Sequence, residues 1–540
     1  EAHNWLSWVY QLLGRPRKAL ESAKRAVELN PLSPEAVSNL SVSHLECGNY
    51  EQALMEARHE QALGSLWGTG AFYEGLALYE LGRFEDAKAV LRDLSTPWAD
   101  VGPRATLALV HAAGGDHEAA RAMRTEFEAA GQPFAAGLIH AALGDYEAAF
   151  AAFEGVDRWG DYWPTLAVRH YYRDVWGSLR KDPRYEGLLH HVDRSWGLAA
   201  PRPAPPSPSR PPGAPGFDPC TIAVLPFDLP NGSEAAAPFA AGLHDDLLTT
   251  LSRVEALTVI ARSSVLPYRD AETSMADIAR HLEVGTIVTG RVHQAANRMR
   301  LNVQLIDARD ERLRWAETYD RALTAENLFD IQSELAEKVA RSLKATLTAA
   351  ERNRVGKPPT NDLEAYRLYA QGRRRLDTRT EAGIRQAARD FRRAIEQDGQ
   401  YALAWAGLAD AFSLFEFYGY PRPDDTPDPM EVAQRAVELD PELGEAHAAL
   451  GIRHAIRQEG PAALHALRRA VERTPSYAEA HIWLGWVWLC LGHPKKGLGF
   501  SERAVELNPL TPAFRVFLAE NYLAQGRVDD ALRQARRARA

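Results

Sequence analysis

The same residues return every 34 positions at both ends of this chain, and nothing else in it constrains the fold so tightly. Ala436, Ala470, Ala504 and Ala538 keep that step, as do Leu450, Leu484 and Leu518, and Pro441, Pro475 and Pro509. Gly451 and Gly485 follow it, with Ala519 in the third copy. At the other end Gly14, Gly48 and Gly82 are 34 apart, and so are Ala19, Ala53 and Ala87. The step then shortens: Gly115 comes after 33 residues and Gly144 after 29, each with an alanine five positions later, Ala120 and Ala149. A period of this length fits two helices per unit. Small residues sit where the helices cross closely, larger ones fill the gaps, and the proline ends the second helix because it cannot continue it. One unit cannot bury its apolar face alone, so neighbours must stack.

Thirty-four residues is the tetratricopeptide period, and both ends read as α-solenoid arms of that type. One further unit, "RDFRRAIEQDGQYALAWAGLADAF", places Ala394, Ala404 and Leu408 42 residues before Ala436, Ala446 and Leu450. The eight extra residues fall around "YGYPRPDDTPDP", a loop between helices where a solenoid tolerates insertion. The N-terminal repeats become irregular toward residue 150 and run into an aromatic-rich helical cap, "WPTLAVRHYYRDVWGSLRKDPRYEGLLHHV". The Pro-rich "APRPAPPSPSRPPGAPG" after it is expected to be an extended linker.

Between the arms the period is lost. "CTIAVLPFDL" reads as a buried strand, "APFAAGLHDDLLTTLSRV" as a helix, "ALTVIARSSVLPY" as a second strand and "MADIARHLEVG" as a helix. In "RMRLNVQLID" Met299, Leu301, Val303 and Leu305 alternate with Arg300, Asn302 and Gln304, and three antiparallel strands are expected through residues 286–320. "NLFDIQSELAEKVARSLKATL" closes a βαβαβββα domain with a mixed sheet. The blocks "IAVLPF", "FAAGLHDDLLTTLSRV", "LTVIARSS", "VGTIVTGRV", "QLIDARDERLRWAETYDR" and "LFDIQSELAEKVARSL" resemble the TolB amino-terminal-like domain over about residues 220–345. The likeness continues into "DLEAYRLYAQGR", and it implies a sensory or assembly module followed by tetratricopeptide repeats. Arg291 departs from the small residue usual after that glycine, an expected disturbance of the strand edge, and no β-propeller follows. The expected layout is therefore repeats and cap at 1–199, linker at 200–217, α/β domain at 218–350 and repeats at 351–540, mainly α overall.

The chain has 540 residues, a formal net charge of -9 and a pI near 6.1, which argues against nucleic acid as a partner of this region because phosphate binding needs concentrated Lys and Arg. Cys47, Cys220 and Cys490 make no CxxC pair, against a disulfide framework or structural zinc. The most apolar run, Ile482 to Leu491, is about half a membrane span. Residue 1 is a Glu already inside a repeat, and "RVDDALRQARRARA" also stops inside one, so the chain is expected to be part of something longer. The compartment is read as cytoplasmic, with the periplasm, or the inner membrane through an upstream segment, as the alternatives.

No phosphate loop, GxSxG elbow, HExxH helix or kinase HRD/DFG pair is present, and neither enzyme activity nor a cofactor or metal is expected. His244–Asp246 could be imagined as ligands, but acidic groups early in a helix suit its dipole, so a solvated helix start is expected. The His190–His191 pair, Arg373–Arg375 and the Arg533–Arg539 tail read as solvated surface. In the repeat register the first helices place Asn4, Trp8, Val42, Phe72 and Leu76 in the N-terminal groove, and Ile482, Trp486 and Leu489 in the C-terminal one. This groove is apolar and lacks the Lys/Asn/Arg set that grips a peptide carboxylate; Trp is enriched among binding hot spots. Trp5 and Trp483 are assigned to the core between repeats. The function expected is a non-catalytic scaffold or sensory module that binds protein or peptide partners. Its alternatives are the regulatory region of a kinase, cyclase or transcription regulator whose head lies outside the chain, and a small-molecule-binding enzyme.

Overall fold

The computed structural model describes residues 2–12, 14–64, 69–92, 94, 101–155, 179, 181–188, 218–229, 237–269, 273–295, 298–322, 324–343, 345, 347–417, 420, 426–457 and 459–538. The Pro-rich linker, most of the aromatic cap and His190–His191 lie outside these residues. The chain forms two compact units. One comprises Glu1–Pro205 with Tyr418–Pro421 and Leu518–Ala540, the other Pro206–Phe417 with Arg422–Phe517.

The first unit begins with helix pairs, from Ala2–Leu12 and Pro16–Leu29 to Pro133–Ala142 and Tyr146–Glu154. Their repeated alanines, Ala19, Ala53, Ala87, Ala120 and Ala149, are all 0% exposed, which is why nothing larger recurs there. The repeated glycines answer a different demand. Gly48 and Gly82 end the first helix of their pairs at φ +76° and +72°, a left-handed conformation that costs a residue with Cβ. A Cβ on Gly82 would meet nothing within 4 Å, so backbone conformation, not space, selects glycine there.

The second unit holds a five-stranded sheet followed by helix pairs. β1 (Thr221–Val224), β2 (Thr258–Val259), β3 (Thr286–Ala295), β4 (Arg298–Asp307) and β5 (Leu313–Ala322) are ordered β2-β1-β3-β4-β5. β1 is parallel to both neighbours, while β3, β4 and β5 are antiparallel. Side chains of a strand alternate between faces. Ile222 and Val224 join one buried cluster beneath helices Ala237–Ser252 and Ala325–Ser342, whereas Ala223 and Leu225 join another beneath Met275–Leu282. Met299, Leu301, Val303 and Leu305 are buried on one face of β4, as their alternation requires. β3 stays paired with β4 along its whole length, so Arg291 does not disturb an edge; it lies opposite Asn302. The second expected strand shrinks to Thr258–Val259, and the chain turns into a short helix at Arg262–Val265.

The repeats after the sheet start with Leu363–Leu376 paired to Glu381–Gln397 and Ala402–Phe417 paired to Pro429–Leu439. A side-chain bond recurs with the period: His447 and His481 each donate Nε2–H to the carbonyl of the proline six residues earlier, Pro441 and Pro475, at 2.8 and 2.9 Å. Arg515 does the same to Pro509 at 2.7 Å. Phe391 is 0% exposed and fills the space left by two glycines, since a Cβ on Gly372 or Gly407 would lie 2.6 or 2.8 Å from its ring. Phe391→Ala is expected to cost about 3–5 kcal/mol in chemical denaturation, and Gly407→Leu to destabilise by overpacking.

Candidate functional site

A strand at the edge of a sheet offers unpaired backbone groups that attract other chains unless something covers them. β2 is such a strand, and repeats of the same unit cover it. Val259 donates its N–H to Ser476 Oγ at 3.2 Å, and the Ser476 hydroxyl donates to the Leu257 carbonyl at 3.0 Å. Ser476 N–H donates to the Ser252 carbonyl at 3.2 Å, and Ala261 N–H to the Leu507 carbonyl at 2.7 Å. Further along, the Ser264 hydroxyl donates to Asn508 Oδ1 at 2.7 Å and accepts from Leu510 N–H at 3.0 Å. Arg503 reaches Thr258 Oγ1 at 2.8 Å. The receiving groups sit in the turns after Gly460–Arg473 and Pro494–Leu507, so the repeat period itself sets their spacing. Ser476 follows the repeated Pro475, where the other copies carry Glu442 and Leu510; that departure from register was the available sequence signal.

The second contact runs between helices. Ala237–Ser252 lies against Leu363–Leu376. Gly242 makes the approach possible, since a Cβ there would stand 2.7 Å from the Tyr366 hydroxyl. Tyr366 is 0% exposed and meets Phe329 edge-on at 5.4 Å. Its hydroxyl bonds Asp246, whose Oδ2 also accepts from Gln332 Nε2 at 2.9 Å. Burial pushes the Asp246 carboxyl up to about 7, against the pull of those two bonds and of Arg253.

His244, Asp245 and Asp246 are therefore not a solvated helix start. They occupy the middle of Ala237–Ser252 and are buried on different sides, His244 against β1, Asp245 against Arg262 and Asp246 beside Tyr366 of the repeat helix. His244 donates Nε2–H to the Val224 carbonyl at 2.8 Å, tying the helix to β1. Asp245 pairs with Arg262, which also pairs with Asp377 at the end of Leu363–Leu376. Arg373 pairs with Asp410 at 3.4 Å and Arg375 with Asp390, so two of the three clustered arginines are structural. Burial also raises the Asp410 carboxyl to about 7, with Arg373 opposing.

The eight groove residues divide by burial. Val42, Phe72 and Leu76 are 1%, 2% and 1% exposed and belong to the continuous core of the first unit, because the next helix pair covers that face. Ile482 is 2% exposed and packs in a cluster against which Ala261 of the sheet module lies. Asn4, Trp8, Trp486 and Leu489 are half-buried and keep surface to offer. Asn4 accepts a hydrogen bond from Asn39 at 2.7 Å. Trp8 meets Trp5 edge-on at 5.9 Å, and Trp486 meets Trp483 likewise at 5.4 Å. Trp483 borders two buried clusters. Among the described residues no group of three His, Cys, Asp or Glu is placed to hold a metal ion, and no helix is long and apolar enough to cross a membrane.

Residues 1–33, 101–124, 449–494 and 512–537 match tetratricopeptide-repeat models. Residues 218–338 match the model described as the second domain of HilA/YgeH-like transcriptional regulators. The chain is 33% identical over 249 residues to "Putative adenylate cyclase 3" of Rhizobium meliloti (strain 1021), a match that takes in 46% of this chain and 42% of that protein. The chain thus spans less than half the length of this curated relative. Among solved structures, a thermophilic tetratricopeptide protein of Thermus thermophilus shares 24% identity at a TM-score of 0.26, over 31% of this chain and 87% of its own. TolB from Acinetobacter baumannii shares 21% identity at a TM-score of 0.18, over 23% of this chain and 28% of its own. The family match for the sheet module is thus to the HilA/YgeH-like regulators.

Proposed function

We propose that this chain is a non-catalytic interaction scaffold in which one repeat array holds the chain's own sheet module while the other offers its surface to a protein or peptide partner. The observation that carries the reading is the covered β2 edge: the Ala261–Leu507 bond of 2.7 Å and the Ser476 clasp occupy the repeats from within the chain. Partner contact then falls to half-buried surface, Asn4 and Trp8 in the N-terminal array, with Trp486 and Leu489 as a lesser patch. The test is selection of peptides from a random library on the full chain, followed by titration. Trp8→Ala is expected to weaken a selected peptide at least tenfold, as truncation of a Trp anchor does. Failure to select any peptide, or equal affinity in Trp8→Ala and Trp486→Ala, speaks against the assignment.

A second reading makes the chain the regulatory region of a larger signalling protein. It is supported by the partial likeness to a protein named as a putative cyclase and by the regulator-type model over residues 218–338. The coding sequence upstream of Glu1 tests it: an in-frame kinase, cyclase or DNA-binding head supports the reading, and a start codon just before Glu1 rejects it. The TolB amino-terminal-like assignment of residues 220–345 rests on the sequence blocks from "IAVLPF" to "LFDIQSELAEKVARSL" and is kept as part of this proposal.

A further inference from the structure

In open α/β sheets ligands bind beyond the carboxyl ends of the strands, where the strand order reverses. β1 is that point here: the chain leaves it for β2 on one side and returns to β3 on the other. A cavity of about 450 Å³ opens there, within the range of small-molecule sites. One part of its wall is apolar, from Pro226, Phe227, Leu229, Ala240 and Ala241. The other carries Arg269, Arg291 and Arg374, with His244 and Asp228.

The arginines are not equivalent. Arg262, and Arg373 and Arg375 on either side of Arg374 in the sequence, are committed to Asp245 and Asp377, Asp410 and Asp390. Arg291 stands 3.6 Å from Asp228. Arg269 and Arg374 have no acidic partner among the described residues, yet both line the cavity. His244 is buried and spends its Nε2–H on the Val224 carbonyl. Burial lowers the Arg262 guanidinium, and the charges of Arg373, Arg269 and Arg374 press it down further while Asp245 opposes them; the positive field is thus concentrated at this junction.

We propose that this cavity binds a phosphate monoester of a small organic molecule, with Arg269 and Arg374 holding the phosphate and the wall around Phe227 and Leu229 receiving the organic body. Guanidinium forks match the oxygens of a phosphate, and two of them with no internal partner leave the dianion as the missing counter-charge. Arg374 belongs to a repeat helix and Arg291 to β3, so such a ligand would bridge the sheet module and its repeats and stabilise their union by mass action. This goes beyond the scaffold reading and does not depend on it.

The test uses the full chain, with 5′-AMP, glucose 6-phosphate, inorganic phosphate and succinate as probes in titration calorimetry and thermal unfolding. At least one ester is expected to bind saturably, with Kd between about 10 μM and 1 mM, and more tightly than inorganic phosphate. Arg269→Gln/Arg374→Gln, which removes only exposed side chains, is expected to unfold as the parent does without ligand and to bind at least tenfold more weakly. Asp228→Asn removes the one carboxylate of the wall among the described residues and is expected to tighten binding, a gain that structural damage would not give. The proposal is overturned if no ester binds at millimolar concentration, if the double variant binds as well as the parent, or if inorganic phosphate or succinate binds as tightly as the best ester.

Discussion

Arg262→Ala is expected to lower the stability of the second unit by about 3–5 kcal/mol, the usual cost of leaving a buried carboxylate without its cation. The Arg262 side chain is 12% exposed and is shared by Asp245, 10% exposed, and Asp377, 25% exposed. Removing it strands both carboxylates at the contact between the sheet module and the repeat helix Leu363–Leu376. For a unit of this size the loss corresponds to a Tm decrease of roughly 5–10 °C. Desolvation makes the pair itself a weak source of stability, so deleting charge on both sides is gentler than deleting it on one. Arg262→Met combined with Asp245→Leu and Asp377→Asn is therefore expected to recover most of the loss. A triple variant as unstable as Arg262→Ala would show that packing of the arginine stem, not its charge, holds the contact.

The second large effect is a pH dependence. Asp246 and Asp410 both ionise near 7 in the folded chain because burial penalises their charged forms, against an ordinary value near 4 when unfolded. Between those values the folded state holds protons that the unfolded state has released. Stability is therefore greatest below about pH 4 as far as these two groups are concerned, falls as pH rises toward 7, and is flat above. Each group contributes a decline on the order of 2–4 kcal/mol. Asp246→Asn keeps an acceptor for Tyr366 and Gln332 but no titrating proton. Its thermal stability is expected to exceed that of the parent at pH 8, to match or fall below it at pH 5, and to change about half as much between them. Equal slopes in parent and variant would mean that Asp246 is charged, and balanced, in the folded chain.

These effects involve residues that were hard to read in sequence, and the reason is physical. A repeat copies one local requirement many times, so the alanines at helix crossings and the left-handed glycines at Gly48 and Gly82 stand out against any background. The alternation in β4 is equally local. Burial of Asp245 and Asp246 is not: it involves Tyr366 and Asp377, more than 100 residues later, while His244 is buried against β1. A hint was present, since Leu243, Leu247 and Leu251 place these three polar residues in the middle of an apolar helix and not in its first turn. The shortened second strand has the same origin, because turns of distant repeats take over the hydrogen bonds that a longer β2 would need. The groove assignment shows the limit of phasing. Register says that Val42, Phe72 and Leu76 share a helix face, but only the stacked neighbour decides that this face is core.

The measurement that bears most directly on the central claim is amide hydrogen exchange on the full chain, read at Val259, Ala261, Ser476 and Leu510. Each of these N–H groups bonds across the contact between sheet module and repeats. A chain whose repeats hold its own sheet module protects all four to the level of the β3–β4 ladder, and Arg262→Ala releases them together. Exchange at these amides as fast as in surface turns, with the β3–β4 ladder still protected, would contradict it.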